Sequence, residues 1–253
     1  MELVNLFWDN TELSKLELSC LNSYLENNHL VNLFTYNKNI YIPRHNNLSV
    51  IDANEIIEKQ DKFYYIGNGD CVKNSIVGFS DIFRYEVLYK AGGWYSDMDV
   101  INLKNLSDIS PRNIVIRPHK KFNAVSNICK FPKAYEPLRE VKQITLNLVN
   151  STNDDWTLPL KLFYEFVVKN KLEKYILNAE LTGNDDDIFI QHLLCDNLIE
   201  TRKSIKNMYG IHWCKSAFST GNWNSNAIYN FNFPKKMTLL HYFYYKYGIN
   251  NIY

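Results

Sequence analysis

No stretch of this 253-residue chain approaches the roughly 20 apolar residues that a membrane span requires. Met1 and Glu2 run almost directly into the first apolar segment, which leaves no room for a secretory leader. A membrane anchor is therefore not expected, and the chain reads as a cytoplasmic protein or as a fragment trimmed from an anchored one. Charge of one sign is lacking too: 28 basic residues against 27 acidic ones leave a formal charge of +1. Nucleic acid is excluded as a partner, because binding a phosphate backbone usually needs a clear cationic excess. Cysteine is scarce, with five residues and no CxxC pair. Cys20, Cys71, Cys129, Cys195 and Cys214 read as reduced thiols, and the sequons at Asn47, Asn105 and Asn150 carry no meaning without secretion. Neither an internal repeat nor a Gly/Ser linker interrupts the chain, so one domain over 1–253 is the simplest count.

What is abundant is apolar and aromatic residues, and 46% hydrophobic content is enough to bury one sizeable core. Coarse periodicity predicts a strand near Val4–Trp8, a helix over Leu13–Asn27 and a strand near Val31–Tyr36, then a loop containing Pro43. A helix over Asp81–Lys90 follows, then strands at Ile114–Arg117 and Ala124–Ile128 and helices over Tyr135–Val149 and Leu160–Asn170. Strands alternating with helices indicate an α/β sheet, whose ligands bind at the carboxyl ends of the strands.

The richest segment runs from Ser80 to Val100. Ser80 has the chemistry of a helix N-cap, and Asp81 in the first turn suits the dipole. At spacings of three and four, Asp81 and Arg84 project together from one helical face. Gly92-Gly93 supplies the left-handed stop that glycine adopts cheaply. In the extended segment beyond it, alternation points Asp97 and Asp99 the same way and Met98 into packing. Two carboxylates so spaced hold a metal weakly alone, but match Mg²⁺ or Mn²⁺ that takes its other ligands from a diphosphate and water.

Ser80-Asp81-x-x-Arg84, then Gly92-Gly93-x-Tyr95-x-Asp97-x-Asp99, resembles the hallmark of the family 32 glycosyltransferases with the DXD sugar-binding motif and, more distantly, of the glucosylating clostridial toxins. The resemblance implies a GT-A fold: a single Rossmann-like nucleotide-sugar-binding sheet flanked by helices, with a donor half over about 1–110 and an acceptor-side half over about 111–253. It also implies transfer from a nucleotide sugar with retention at the anomeric carbon. Carried onto this chain, Ser80, Asp81 and Arg84 belong to the donor-sugar site and Tyr95 lines it. Asp97 meets ribose and metal, and Asp99 is the direct metal ligand.

Weaker echoes extend the resemblance. Leu3–Trp8 resembles the first strand of these enzymes, so Trp8 reads either as the surface on which the base stacks or as core. Leu181-Thr182-Gly183-Asn184 resembles the family's Thr-Gly-Pro turn with Asn184 in place of proline. Asp185-Asp186-Asp187 follows. These acids either complement a helix dipole or touch the donor or acceptor, and Asp186 and Asp187 are the carboxylates to test for a covalent route. Gly210–Ser216 resembles the late His-Trp segment, which makes His212 a candidate third metal ligand, with a core histidine as the other reading. The aromatic end around Leu239–Gly248 reads as a last core element or as a peripheral membrane contact.

The reading is thus a metal-dependent hexosyl- or N-acetylhexosaminyltransferase. Its preferred donor is a UDP-sugar, with GDP-mannose as the alternative, and its acceptor is a hydroxyl of a glycan or lipid-linked glycan in surface polysaccharide synthesis. Two other classes compete with it: a metal-dependent phosphohydrolase or nucleotidyltransferase, and a sugar-nucleotide or glycan binding module without turnover.

Overall fold

A computed structural model describes residues 1–37, 39–42, 44–109, 112–177, 181–182, 192–215 and 229–249. Strand β1 (Leu3–Phe7) leads through helix α1 (Lys15–Glu26) to β2 (Leu30–Thr35) and β3 (Leu48–Asp52). Helix α2 (Val77–Ala91) then returns the chain to β4 (Gly93–Ser96) and the short β5 (Val100–Asn102). Next come β6 (Val115–His119), β7 (Asn123–Phe131), α3 (Pro137–Leu148) and α4 (Leu158–Lys169). Helix α5 (Leu198–Ser204), strand β8 (Gly210–His212) and helix α6 (Leu239–Lys246) complete the described strands and α-helices.

Six strands form one sheet in the order β3-β2-β1-β4-β7-β6, and β5 pairs with β8 in a separate ribbon. The first four strands are parallel, whereas β7 runs antiparallel to both β4 and β6. The chain winds outward from β1 to β3 and comes back to place β4 on the other side of β1. That reversal opens a crevice at the carboxyl ends of β1 and β4, where open α/β sheets take their ligands.

Both faces of the sheet are covered at its centre, which is why β1 and β2 read as near-continuous apolar runs. Val4, Leu6, Val31, Leu33 and Trp94 join one core with Leu16 and Leu21 of α1 and Leu239, Leu240, Phe243 and Tyr244 of α6. Phe7, Phe34 and Tyr95 point the other way, into a second core with Phe83 and Leu88 of α2, Leu138 of α3 and Phe163 of α4. The aromatic carboxyl segment is thus a helix that closes the first core, with Tyr245 left exposed. Asn5 is buried between the two cores. Its amide donates to the carbonyls of Gly92 and Trp94, both at 2.8 Å, and its Oδ1 accepts from Asn32, tying β1 to the amino end of β4. Gly92 and Gly93 end α2 at φ +70° and +82°; a Cβ on Gly93 would lie 2.7 Å from the Leu3 carbonyl oxygen.

Three sequence expectations need correction. Ser80 does not cap α2: the helix begins a turn earlier, at Val77, and the Ser80 hydroxyl donates back to the Val77 carbonyl at 2.7 Å. Phe79 is buried in the helix so extended, and packing an apolar face outweighs one cap. Asp97 and Asp99 do not alternate along a strand, because β4 ends at Ser96 and the chain turns, with Val100 N–H donating to the Asp97 carbonyl at 3.3 Å. Finally, 48–52 forms a strand where none was assigned.

Candidate functional site

The site is built on the last residues of β4 and the turn beyond them. The backbone N–H of Asp97 donates to the Asn127 carbonyl at 2.8 Å, which anchors the turn to β7. Met98 packs into the core, so its two acidic neighbours are left at the rim. Opposite them, β8 pairs with β5 in a register that sets His212 against Val100. His212 Nε2 lies 3.3 Å from Asp99 Oδ1, and a ligand atom from each of Asp97, Asp99 and His212 falls within 4.8 Å of the others. Two hard oxygens and one imidazole nitrogen this close are a donor set suited to a small divalent ion such as Mn²⁺ or Mg²⁺.

Arg84 is the hub beside this cluster. Its guanidinium donates to Asp81 Oδ1 at 2.6 Å and Ser126 Oγ at 2.5 Å through Nη1, and to Asp97 Oδ1 at 2.8 Å through Nη2. The Tyr95 ring lies beneath it, 4.9 Å away, fully within the second core. A planar fork is what one cation needs to span three acceptors, a geometry that lysine cannot copy. Burial lifts the Asp81 carboxyl to about 6, against the pull of Arg84 and with the help of the Asp97 charge. Burial also raises Asp97, although Arg84 opposes it. Asp99 goes the other way: burial would raise it, but His212 and the Lys215 backbone N–H together hold it below the ordinary carboxylate range. One acid of the pair is therefore kept ready as an anion.

Lys215, which sequence reading passed over, closes the cluster from behind. Its N–H donates to Asp99 Oδ2 at 3.0 Å, while its ammonium reaches Glu17 Oε1 at 2.6 Å and Ser14 Oγ at 3.1 Å. Glu17 also accepts from Ser14 N–H at 2.8 Å, so one buried carboxylate caps α1 and holds Lys215. The same ammonium stands 5.9 Å from the Trp8 ring. Trp8 is half-buried just past β1, with its indole N–H on the Glu12 carbonyl at 2.9 Å. Next to it, Asp9 receives the Lys62 ammonium at 2.8 Å and the Tyr64 hydroxyl.

The structure thus brings Asp81, Arg84, Tyr95, Asp97, Asp99 and His212 together, with Trp8 joined to them through Lys215. Ser80 stands apart, its hydroxyl committed to its own helix. Asp186 and Asp187, with the Gly183-Asn184 turn, lie outside the described residues; Thr182 is buried. Ser126 and Asn127 carried no sequence pattern that could have marked them.

Residues 14–116 match the family model described as the glycosyltransferase sugar-binding region containing the DXD motif. Over that span, less than half of its length, the chain is similar to a DXD-type sugar-binding region. That match takes in Asp81, Arg84, Asp97 and Asp99 and stops short of Trp8 and His212, so the imidazole of the cluster rests on geometry alone. No curated protein matches the sequence. Among solved structures, the chain is similar to the galactosyltransferase LgtC in complex with donor and acceptor sugar analogs, at 8% identity and TM-score 0.50, over 97% of this chain and 95% of that one. It is also similar to the apo-form glycosyltransferase GlyE of Streptococcus pneumoniae TIGR4 (12%, TM-score 0.48) and covers 98% of itself but 60% of that chain. The PaToxG glycosyltransferase is a third (13%, TM-score 0.47), with 67% of this chain and 68% of that one covered. The sheet order, the flanking helices and the first of these likenesses together identify the GT-A glycosyltransferase fold.

Proposed function

We propose that this chain is a metal-dependent, retaining glycosyltransferase of the family 32 type. In this reading it moves a hexose or N-acetylhexosamine from a nucleotide-diphosphate sugar, by preference a UDP-sugar, to a hydroxyl of a glycan or lipid-linked glycan. The observation that carries the reading is the Asp97, Asp99 and His212 cluster at the carboxyl end of β4, whose two aspartates lie inside the matched DXD region, beside a buried Asp81–Arg84 pair.

Asp99 and His212, with Asp97, would hold Mn²⁺ or Mg²⁺. Such an ion supplies countercharge for a departing diphosphate. Asp81 and Arg84 orient the hydroxyls of the donor sugar, and Arg84 is held flat for this by Tyr95, Ser126 and Asp97. Asp97 also faces the ribose, and Trp8 offers its ring to the base. The acceptor oxygen bonds to the anomeric carbon as the bond to the diphosphate breaks, the acceptor proton is released, and the nucleoside diphosphate leaves. Attack from the face of departure preserves configuration; the covalent alternative assigns the nucleophile to Asp186 or Asp187. Residues 1–110 serve as the donor half and 111–253 as the acceptor side of one catalytic domain. GDP-mannose is the second donor candidate. A cytoplasmic enzyme making surface polysaccharide, touching the membrane through its aromatic carboxyl end, fits this assignment.

A thermal-shift and nucleotide-release screen of UDP- and GDP-sugars, with and without Mn²⁺, tests the reading. We expect one donor to raise the melting temperature only when metal is present, and to release nucleotide, because a ligand that binds only the native state stabilises it. Metal-dependent binding with no release would identify a binding module. No response to any nucleotide sugar would overturn the reading altogether.

A further inference from the structure

The segment after β8 makes three contacts with the acidic turn and its imidazole in as many residues. Trp213 N–H donates to the Asp99 carbonyl at 2.9 Å, and Lys215 N–H donates to the Asp99 carboxylate at 3.0 Å. Between them Cys214 adopts φ +48°, a left-handed conformation that costs a non-glycine residue on the order of 1 kcal/mol. This reversal folds the Cys214 sulfur back over the ring of His212, with Sγ 3.4 Å from Nδ1 and 3.9 Å from the His212 carbonyl oxygen. Both distances suit sulfur, whose thiol can donate to the carbonyl while a lone pair accepts from the imidazole N–H. A proton placed on Nδ1 frees the Nε2 lone pair for an ion shared with Asp99 Oδ1, 3.3 Å away, within the Asp97–Asp99–His212 cluster.

We propose that Cys214 is a positioning residue that sets the tautomer and orientation of His212 as a metal ligand. The inference rests on the metal-site reading above and adds to it a sulfur that touches no ion itself. Ligating histidines are oriented in this way by the group on their second nitrogen, and removing such a group weakens metal binding about 10- to 100-fold.

Glycine and serine at position 214 separate this role from a purely structural one. Cys214→Gly relieves the left-handed strain, which offsets part of the cost of emptying a buried position, so the variant should stay folded and melt only modestly below the parent. We nevertheless expect its affinity for Mn²⁺ alone, measured by calorimetry on the full chain without donor, to fall about tenfold or more. Cys214→Ser keeps an acceptor beside Nδ1 and should recover most of the loss. With Mg²⁺ bound to the parent protein, ¹⁵N chemical shifts should report the Nδ1–H tautomer of His212, and in Cys214→Gly under the same conditions a mixture. Parent protein that binds Mn²⁺, with a Cys214→Gly variant that binds it equally well, overturns the role of Cys214 and leaves the metal site standing. Parent protein that binds no Mn²⁺ overturns both.

Discussion

At the scale of single residues, the site divides into groups that face the crevice and groups that hold them. Asp99 faces it: its carboxylate oxygens are shared between His212 and the Lys215 N–H. Asp99→Asn removes the charge and keeps the shape. Loss of metal-borne charge stabilisation on the order of 4 kcal/mol would lower kcat/KM by about 10³-fold. Transfer measured across a Mn²⁺ titration checks this, and near-normal rates would sink the assignment. Arg84 does both jobs. Arg84→Lys keeps the charge but not the fork, so at least one of Asp81, Ser126 and Asp97 goes unsatisfied. Breaking such a buried pair costs roughly 3 kcal/mol, and a urea midpoint compared with the parent's measures it. Sequence gave the residue types and the three-residue spacing that bring Asp81 to Arg84. It carried no trace of Ser126, Asn127 or Lys215, whose meeting with the motif is decided by sheet order.

Among elements, what could be read was whatever has its own periodicity or its own stop. The strand and helix around α1, the Gly-Gly end of α2, and α3 and α4 all follow from apolar spacing. β3 escaped because it is short and largely exposed, so its residues show no buried alternation. β5 and β8 escaped because a three-residue strand has no period at all; each exists through the other. The start of α2 was misplaced since Ser80 looked like a cap while the turn before it had its own reasons to be helical. Two changes probe how β1 and β4 are held together. Gly93→Ala must accept φ +82° and a Cβ near Leu3 O, and should lose roughly 2–3 kcal/mol in chemical denaturation. Asn5→Ala leaves the Gly92 and Trp94 carbonyls and the Asn32 amide without their side-chain partner, for a loss of about 3 kcal/mol in the same assay.

Across the whole molecule, one histidine links pH to stability. His29 is buried at the end of α1, where its Nε2 accepts from Leu106 N–H at 3.2 Å, and burial lowers its pKa from 6.5 to about 4 despite Glu2 nearby. Above pH 6.5 both folded and unfolded chains carry it neutral. As pH falls toward 4 only the unfolded chain takes up the proton, so the fold loses up to about 3 kcal/mol over that window. His29→Gln, which keeps an acceptor, should flatten this part of the stability profile, as denaturant midpoints at stepped pH would reveal. The pairing of β5 with β8 has a consequence of another kind. Asp99 and Lys215 are 116 positions apart in the chain, and loops of that length close late, after local contacts and the neighbouring strands have formed. During synthesis, the sheet as far as β7 can assemble while His212 is still unmade. Competence to hold a metal would then be the last property the nascent chain acquires, and Mn²⁺ capture during refolding would date the completion of the molecule.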